Sequence, residues 1–305
     1  MAILDLIDKG ILGDLLENCR ITYEDLSRKH GISANAVKKR VQKLEESGVI
    51  QQYSIRLSLA MLDAQLLFGL LQTDGSQDEE AFVNRIGESP SIVAAAAYSD
   101  GHYALLAEYV NTIELMELGS YLRTLEGVND VELHTLVTKR GTKSELTTNH
   151  LKALYYLRDN PRMSIVDLAR ESGMTARRAR RLVTELVESE SVIFTANLEL
   201  GEAGSIPFLA RVAWNERIAD YTAVIEWLMS RYPDSLWEWY ISVSEPAIFC
   251  LFTAEDLNEM NSKAREIRQQ DFVDRVKVIV ASYHDGFGGP RSRLLTEMIQ
   301  KVIKD

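Results

Sequence analysis

Cysteine is nearly absent from this 305-residue chain: there are two, Cys19 and Cys250, far apart in sequence. Two isolated thiols make neither a metal knuckle nor a redox pair, so both are expected as core or surface thiols. Long apolar runs are missing as well. No stretch reaches the roughly 18 residues that a bilayer-spanning helix needs. The start, Met1-Ala2-Ile3-Leu4-Asp5-Leu6-Ile7-Asp8, puts acids where an export signal carries a basic end and an apolar core, so a cytoplasmic location is expected. Histidine is sparse: His30, His102, His134, His150 and His284 lie scattered without metal-ligand spacing. No catalytic set, metal or cofactor is therefore expected. Gly286-Phe287-Gly288-Gly289 does not lead from a strand into a phosphate-binding helix, and with Pro290 it reads as a flexible linker. Positive charge is also short, with 34 Lys and Arg against 45 Asp and Glu, a net charge of −11. That deficit excludes a surface that attracts polyanions everywhere, but not a local basic patch.

Such patches exist, and they sit inside a repeat. Residues 21–47, moved by 142 positions, meet nine identical residues. Each copy reads as a helix, a glycine turn and a second helix, the layout of a DNA-reading helix-turn-helix. In the first copy Leu6, Ile7, Ile11, Leu12, Leu15 and Leu16 space an initial helix. Thr22 caps the next helix, Gly31 ends it, and Ser33 caps the third. Val37, Val41 and Leu44 form the buried face of that third helix. Residues 33–43 carry Lys38, Lys39, Arg40 and Lys43 and no acid. The second copy repeats the plan, with Gly173 at the turn, Thr175 as cap and Ala179, Val183 and Leu186 facing in. Residues 175–184 carry Arg177, Arg178, Arg180 and Arg181 and again no acid. A β wing is expected after each third helix, from Val49 and from Val192.

Two further segments alternate with these units, and each has strand-helix-strand-strand-helix-strand order, which folds as a ferredoxin-like sandwich. The fold class is therefore α+β, with two winged helix-turn-helix domains alternating with two βαββαβ domains. The expected limits are 1–58 and 144–200 for the winged units, 64–140 and 205–285 for the sandwiches, and 291–305 for a C-terminal amphipathic helix. Leu294, Leu295, Met298, Ile299, Val302 and Ile303 form the apolar stripe of that last helix. Leu66-Leu67-Phe68-Gly69-Leu70-Leu71 and Ile92-Val93-Ala94-Ala95-Ala96-Ala97 are apolar at every position, whereas a sheet with one wet face should alternate. The second face must be covered, and another sandwich is the expected cover. It comes either from the same chain, as an intrachain pseudo-dimer, or from a homodimer mate.

These residues resemble the Lrp/AsnC, or feast/famine, family of transcription regulators. Leu4-Asp5-Leu6-Ile7-Asp8-Lys9-Gly10-Ile11-Leu12, Arg20-Ile21-Thr22, Asp25-Leu26-Ser27, Gly31-Ile32-Ser33, Val37-Lys38-Lys39-Arg40-Val41, Leu44-Glu45-Glu46-Ser47-Gly48-Val49-Ile50 and Gly127-Val128-Asn129-Asp130 follow that family's register. The likeness is specific over residues 4–140 and architectural from 145 to 285. Ordinary members carry one module, so this chain looks like a tandem fusion. The resemblance implies double-stranded DNA as partner, with the third helices in the major groove. It places Ser33, Asn35, Ala36, Lys38, Lys39, Arg40 and Lys43 in one reader and Thr175, Arg177, Arg178, Arg180 and Arg181 in the other. It also implies a possible small-molecule effector, such as an amino acid, near the turn Ser99-Asp100-Gly101-His102. An ordinary Asp-Gly hairpin turn explains that segment equally well. Two other readings stay open. One is a low-specificity architectural DNA binder. The other is an enzyme similar to sirohaem decarboxylases, which share the module; against it, His102-Tyr103-Ala104-Leu105 lacks the asparagine and arginine of their His-Asn-Tyr-x-Arg motif.

Overall fold

A computed structural model describes residues 4–303; Met1 to Ile3 of the acidic start, and the side chain of Ile303 on the apolar stripe, lie outside that range. The chain opens with α1 (Leu6–Glu17), α2 (Tyr23–His30), α3 (Ala34–Glu46) and β1 (Ile50–Leu57). A first βαββαβ set follows: β2 (Gln65–Thr73), α4 (Glu79–Gly87), β3 (Ile92–Tyr98), β4 (His102–Tyr109), α5 (Thr112–Thr124) and β5 (Val128–Val137). The plan then repeats as α6 (Thr148–Leu157), α7 (Ile165–Ser172), α8 (Ala176–Glu188) and β6 (Val192–Leu198). The second set is β7 (Ile206–Trp214), α9 (Tyr221–Arg231), β8 (Leu236–Ser242), β9 (Ala247–Ala254), α10 (Leu257–Arg268) and β10 (Val273–Gly286), and α11 (Gly289–Ile303) closes the chain. Two compact units result. One combines the chain up to Asp63 with Arg140–Ala203 and Arg291 onward, and the other combines Ala64–Lys139 with Gly204–Pro290.

In the helical unit, side-chain caps set where helices begin. Thr22, Ser33, Ser164 and Thr175 each accept an amide hydrogen bond from three residues on. Gly31 and Gly173 both take φ +67°, the left-handed conformation that ends α2 and α7 and that glycine adopts without strain. Val37, Val41 and Leu44 are buried on α3, and Ala179, Leu182, Val183 and Leu186 on α8. The strand expected as a wing is present after each third helix, but its partner is its own counterpart: β1 pairs antiparallel with β6. Tyr53 faces Ala196 and Ser54 faces Thr195. One extra residue precedes the second wing, so Ala196 is the counterpart of Tyr53, and a local pseudo-twofold axis passes between these two facing residues. Helix α11 packs Leu295 and Ile299 into this unit's core beside Leu154, Leu186 and Phe194.

The other unit is a closed eight-stranded barrel in the order β10-β3-β4-β2-β5-β8-β9-β7. Each half keeps the ferredoxin-like order, and the halves join edge to edge through β3 with β10 and β5 with β8. Outer faces pack on their own helices; Leu67, Leu71 and Leu105 meet Phe82, Ile86 and Leu122, for example. Inner faces pack on each other through Phe68, Ala104 and Leu136 from one half and Leu209, Phe249 and Ile279 from the other. This explains strands that are apolar at every position. The expected flexible linker is not found. β10 runs to Gly286 because its last residues pair with β3, and the Phe287 amide donates to the Val93 carbonyl at 2.8 Å.

Candidate nucleic-acid interface and a charged barrel chamber

Helix α3 displays most of its expected reader face. Ser33, Asn35, Lys38, Lys39 and Lys43 are exposed, and Ala36 is half-buried. Arg40 is turned inward. Its guanidinium bonds Asp8 at 2.7 Å and Asp5 at 2.8 Å, tying α3 to the start of α1. Those two carboxylates hold the Arg40 cation above its ordinary range. Burial pushes the Asp5 carboxyl up, but the Asp8 amide and Arg40 outweigh it and leave the group below the usual carboxylate value.

Helix α8 is arranged differently. Thr175, Arg177, Arg178, Arg180 and Arg181 are all exposed. Arg177, Arg178 and Arg180 have no ion-pair partner among the described residues, while Arg181 pairs with Glu185 one turn on, at 3.2 Å. Glu185 stands where α3 has Lys43, and it also meets His150, the counterpart of Asp8, at 3.0 Å. Leu182 replaces Arg40 and is buried. The free cations of α8 therefore crowd its first turns, where helix N-termini also favour phosphate.

The expected effector turn is internally satisfied. Asp100 and Gly101 take φ +62° and +65°, the two-residue hairpin turn with both central residues left-handed. Gln72 donates to the Asp100 carbonyl at 2.8 Å, and the Ser99 amide donates to the Val280 carbonyl at 2.8 Å. The Asp100 side chain is exposed. His102 is different: it is buried, with Nδ1 3.2 Å from the Ser99 carbonyl and Nε2 2.6 Å from Lys277 Nζ. A carbonyl accepts and an ammonium donates, so this geometry matches the tautomer with its proton on Nδ1.

Lys277 and His102 belong to a chamber of about 150 Å³ between the two sheets of the barrel. Gln72, Asp130, Glu132 and Arg211 supply its other polar groups, and Leu70, Leu209 and Ile279 its apolar wall. Arg211 bonds Glu132 at 2.7 Å and Glu245 at 2.5 Å and lies 5.6 Å over the Phe249 ring. Its buried Nε has no hydrogen-bond partner. His134 stands 3.3 Å from Glu132 and 3.5 Å from Glu245, and donor atoms of these three residues lie within 4.8 Å of one another. A metal could be held there, but Arg211 already supplies both carboxylates with positive charge. A wider groove shares Glu132, Arg211 and Lys277 with the chamber and adds Arg268 and Arg275. Of this set, only His102 is among the site residues expected from the sequence. The available signal was Arg211 and Lys277 at inward positions of strands that carry Leu209 and Ile279 on the same face.

Comparisons with known proteins follow this division. A family profile described as winged helix-turn-helix DNA-binding matches residues 4–51 and again residues 146–190. The leucine-responsive regulatory protein of Haemophilus influenzae is 32% identical over 141 residues, 44% of this chain and 84% of that protein. Regulatory protein AsnC of Escherichia coli is 26% identical over 135 residues, 43% of this chain and 88% of that protein. Over its whole length the chain is similar in fold to the crystal structure of the siroheme decarboxylase NirDL. The TM-score is 0.57 at 15% identity, covering 98% of this chain and 99% of that one. No helix among the described residues is long and apolar enough to cross a membrane.

Proposed function

The chain belongs to the Lrp/AsnC family of helix-turn-helix regulators, and from that premise we propose that it is a sequence-specific transcription regulator whose two unequal readers dock on one DNA duplex. The observation that carries this reading is the pair of capped, basic third helices related by the pseudo-twofold of β1 and β6. A twofold between readers is how dimers of such domains reach successive major grooves, and here one chain supplies both readers. Arg177, Arg178 and Arg180 neutralise phosphates, which position the protein. Asn35 reaches a base edge, where an amide pairs with adenine in a two-bonded arrangement. Half-sites should accordingly be unequal rather than palindromic.

Selection of bound fragments from genomic DNA, followed by a salt titration, tests this. A recovered asymmetric motif with steeply salt-dependent affinity is expected. Equal binding to random DNA would replace specific regulation with architectural coating. Absence of binding at low salt would remove both.

Chemistry on a tetrapyrrole is a second reading, and the whole-chain fold likeness favours it. The chamber of about 150 Å³ does not hold that macrocycle by itself, although the groove beside it reaches about 580 Å³; against the reading, both third helices present the cations that DNA contact needs. Loss of a carboxylate from sirohaem on incubation with the protein would establish the enzyme; an unchanged pigment is expected.

A further inference from the structure

The chamber lies on the barrel's own pseudo-twofold, and its walls are equivalent positions that have diverged. The cross-strand pair Leu70 and Glu132 of β2 and β5 corresponds to the pair Arg211 and Lys277 of β7 and β10. One step along, Gln72 and Asp130 correspond to Ala213 and Arg275. Two successive acids of one copy are thus bases in the other. A symmetric dimer of the second module would set Lys277 against Arg211, at a Coulombic cost, and one of the first would set Glu132 against Leu70. Only two non-identical copies in one barrel can place Glu132 against Arg211.

The charge balance then points to an occupant. Glu132 and Glu245 share the one guanidinium of Arg211. Lys277 is held by His102, whose ring nitrogen orients the ammonium without cancelling its charge. Lys277, Arg268 and Arg275 have no carboxylate within ion-pair distance among the described residues, and they share one groove. Asp130 is the one lining carboxylate likewise without such a partner. With Arg211 and its two carboxylates included, four cations stand against three acids, an excess of one positive charge beside a partly apolar cavity. A cavity of about 150 Å³ accommodates a molecule of roughly benzene's size or slightly more.

We propose that this chamber, together with the groove that shares Lys277 with it, binds a small organic dianion, a dicarboxylate or a phosphate ester, with Lys277 and the groove's Arg275 on its oxyanions and Leu70, Leu209 and Ile279 against its carbon chain. The binding claim is independent of DNA. That the dianion controls the readers rests on the regulator reading. Calorimetry and thermal unfolding of the full chain with succinate, glycerol 3-phosphate and inorganic phosphate test it, with zwitterionic amino acids as the contrast. Saturable binding of succinate or glycerol 3-phosphate and a rise in Tm are expected, and the better of the two identifies the oxyanion source. Lys277→Gln and Arg275→Gln together should weaken binding by about tenfold or more. Both residues are exposed, so the unliganded Tm should hold. Asp130→Asn should tighten binding. Absence of heat from both organic dianions, undiminished affinity in the double variant, or tighter binding of amino acids would overturn the proposal. Because no DNA is present, a failure here leaves the regulator reading intact, and a failure to bind DNA leaves the chamber intact.

Discussion

The two readers share a backbone plan and differ in how the third helix is braced. In the first, Arg40 reaches across to Asp5 and Asp8, so one of α3's cations serves as a strut. In the second, that position is Leu182, buried in the helical core, and the strut is apolar. The exchange frees every arginine in the first turns of α8 to face outward, and Glu185 then takes the place of Lys43. The lesson concerns allocation of charge. A helix braced by ion pairs carries fewer free cations than its count of basic residues suggests, whereas a helix braced by burial carries nearly all of them. Reader one is left with Asn35 and spread lysines, reader two with a dense arginine cluster.

The sharpest way to break this contrast is to remove each brace. Leu182→Ala deletes a buried leucine side chain and should cost about 2–5 kcal/mol, the range for large-to-small changes in a packed core. Arg40→Ala removes a partly exposed ion pair and should cost about 1 kcal/mol or less. Denaturant unfolding of the two variants measures the difference. Equal losses would show that the two braces are of one kind.

Next in size is the division of phosphate contacts. Arg177→Ala, Arg178→Ala and Arg180→Ala combined should lower the slope of log affinity against log salt by about 3, since each phosphate contact contributes roughly 0.9 on duplex DNA. Arg40→Ala alone should leave that slope unchanged, because its charge is already paired. A slope that responds to Arg40 and not to the arginine triple would reverse the assignment of the two helices.

Much of the plan that the two readers share is legible in the sequence. Helix caps at Thr22, Ser33 and Thr175 and glycines at 31 and 173 are local signals, and local hydrogen bonding decides them. Apolar runs on β2 and β3 announced a covered second face, because a wet face would have alternated. What stayed hidden depends on partners remote in sequence. Arg40 looks like its neighbours Lys38 and Lys39 until Asp5 and Asp8 are seen beside it. β1 and β6 look like wings until they pair with each other. Arg211 and Glu132 fall on two separate strands and Glu245 in the turn between β8 and β9, and only barrel closure brings them together around His134. The Asp-Gly pair of the expected effector turn is a hairpin signal, and the hairpin forms there, with His102 beside it turned into the chamber.

The smallest expected effect separates the braces by pH. Asp5 titrates below the ordinary carboxylate value in the folded chain, because the Asp8 amide and Arg40 favour its charged form over the opposing pull of burial. A depressed folded value stabilises the fold fully above the ordinary carboxylate value and loses that contribution as pH falls through the folded one. The window therefore lies below about pH 4. Asp5 is half exposed, so solvent screening keeps the contribution small. At the second reader, Thr147 occupies the matching position and carries no charge to lose. Thermal unfolding from pH 5 down to pH 3 should show a shallower fall in Tm for Arg40→Gln than for the parent chain, because the variant lacks the ion pair that acid removes. Parallel curves for the two proteins would mean that Arg40 braces α3 by packing its alkyl stem rather than by its charge.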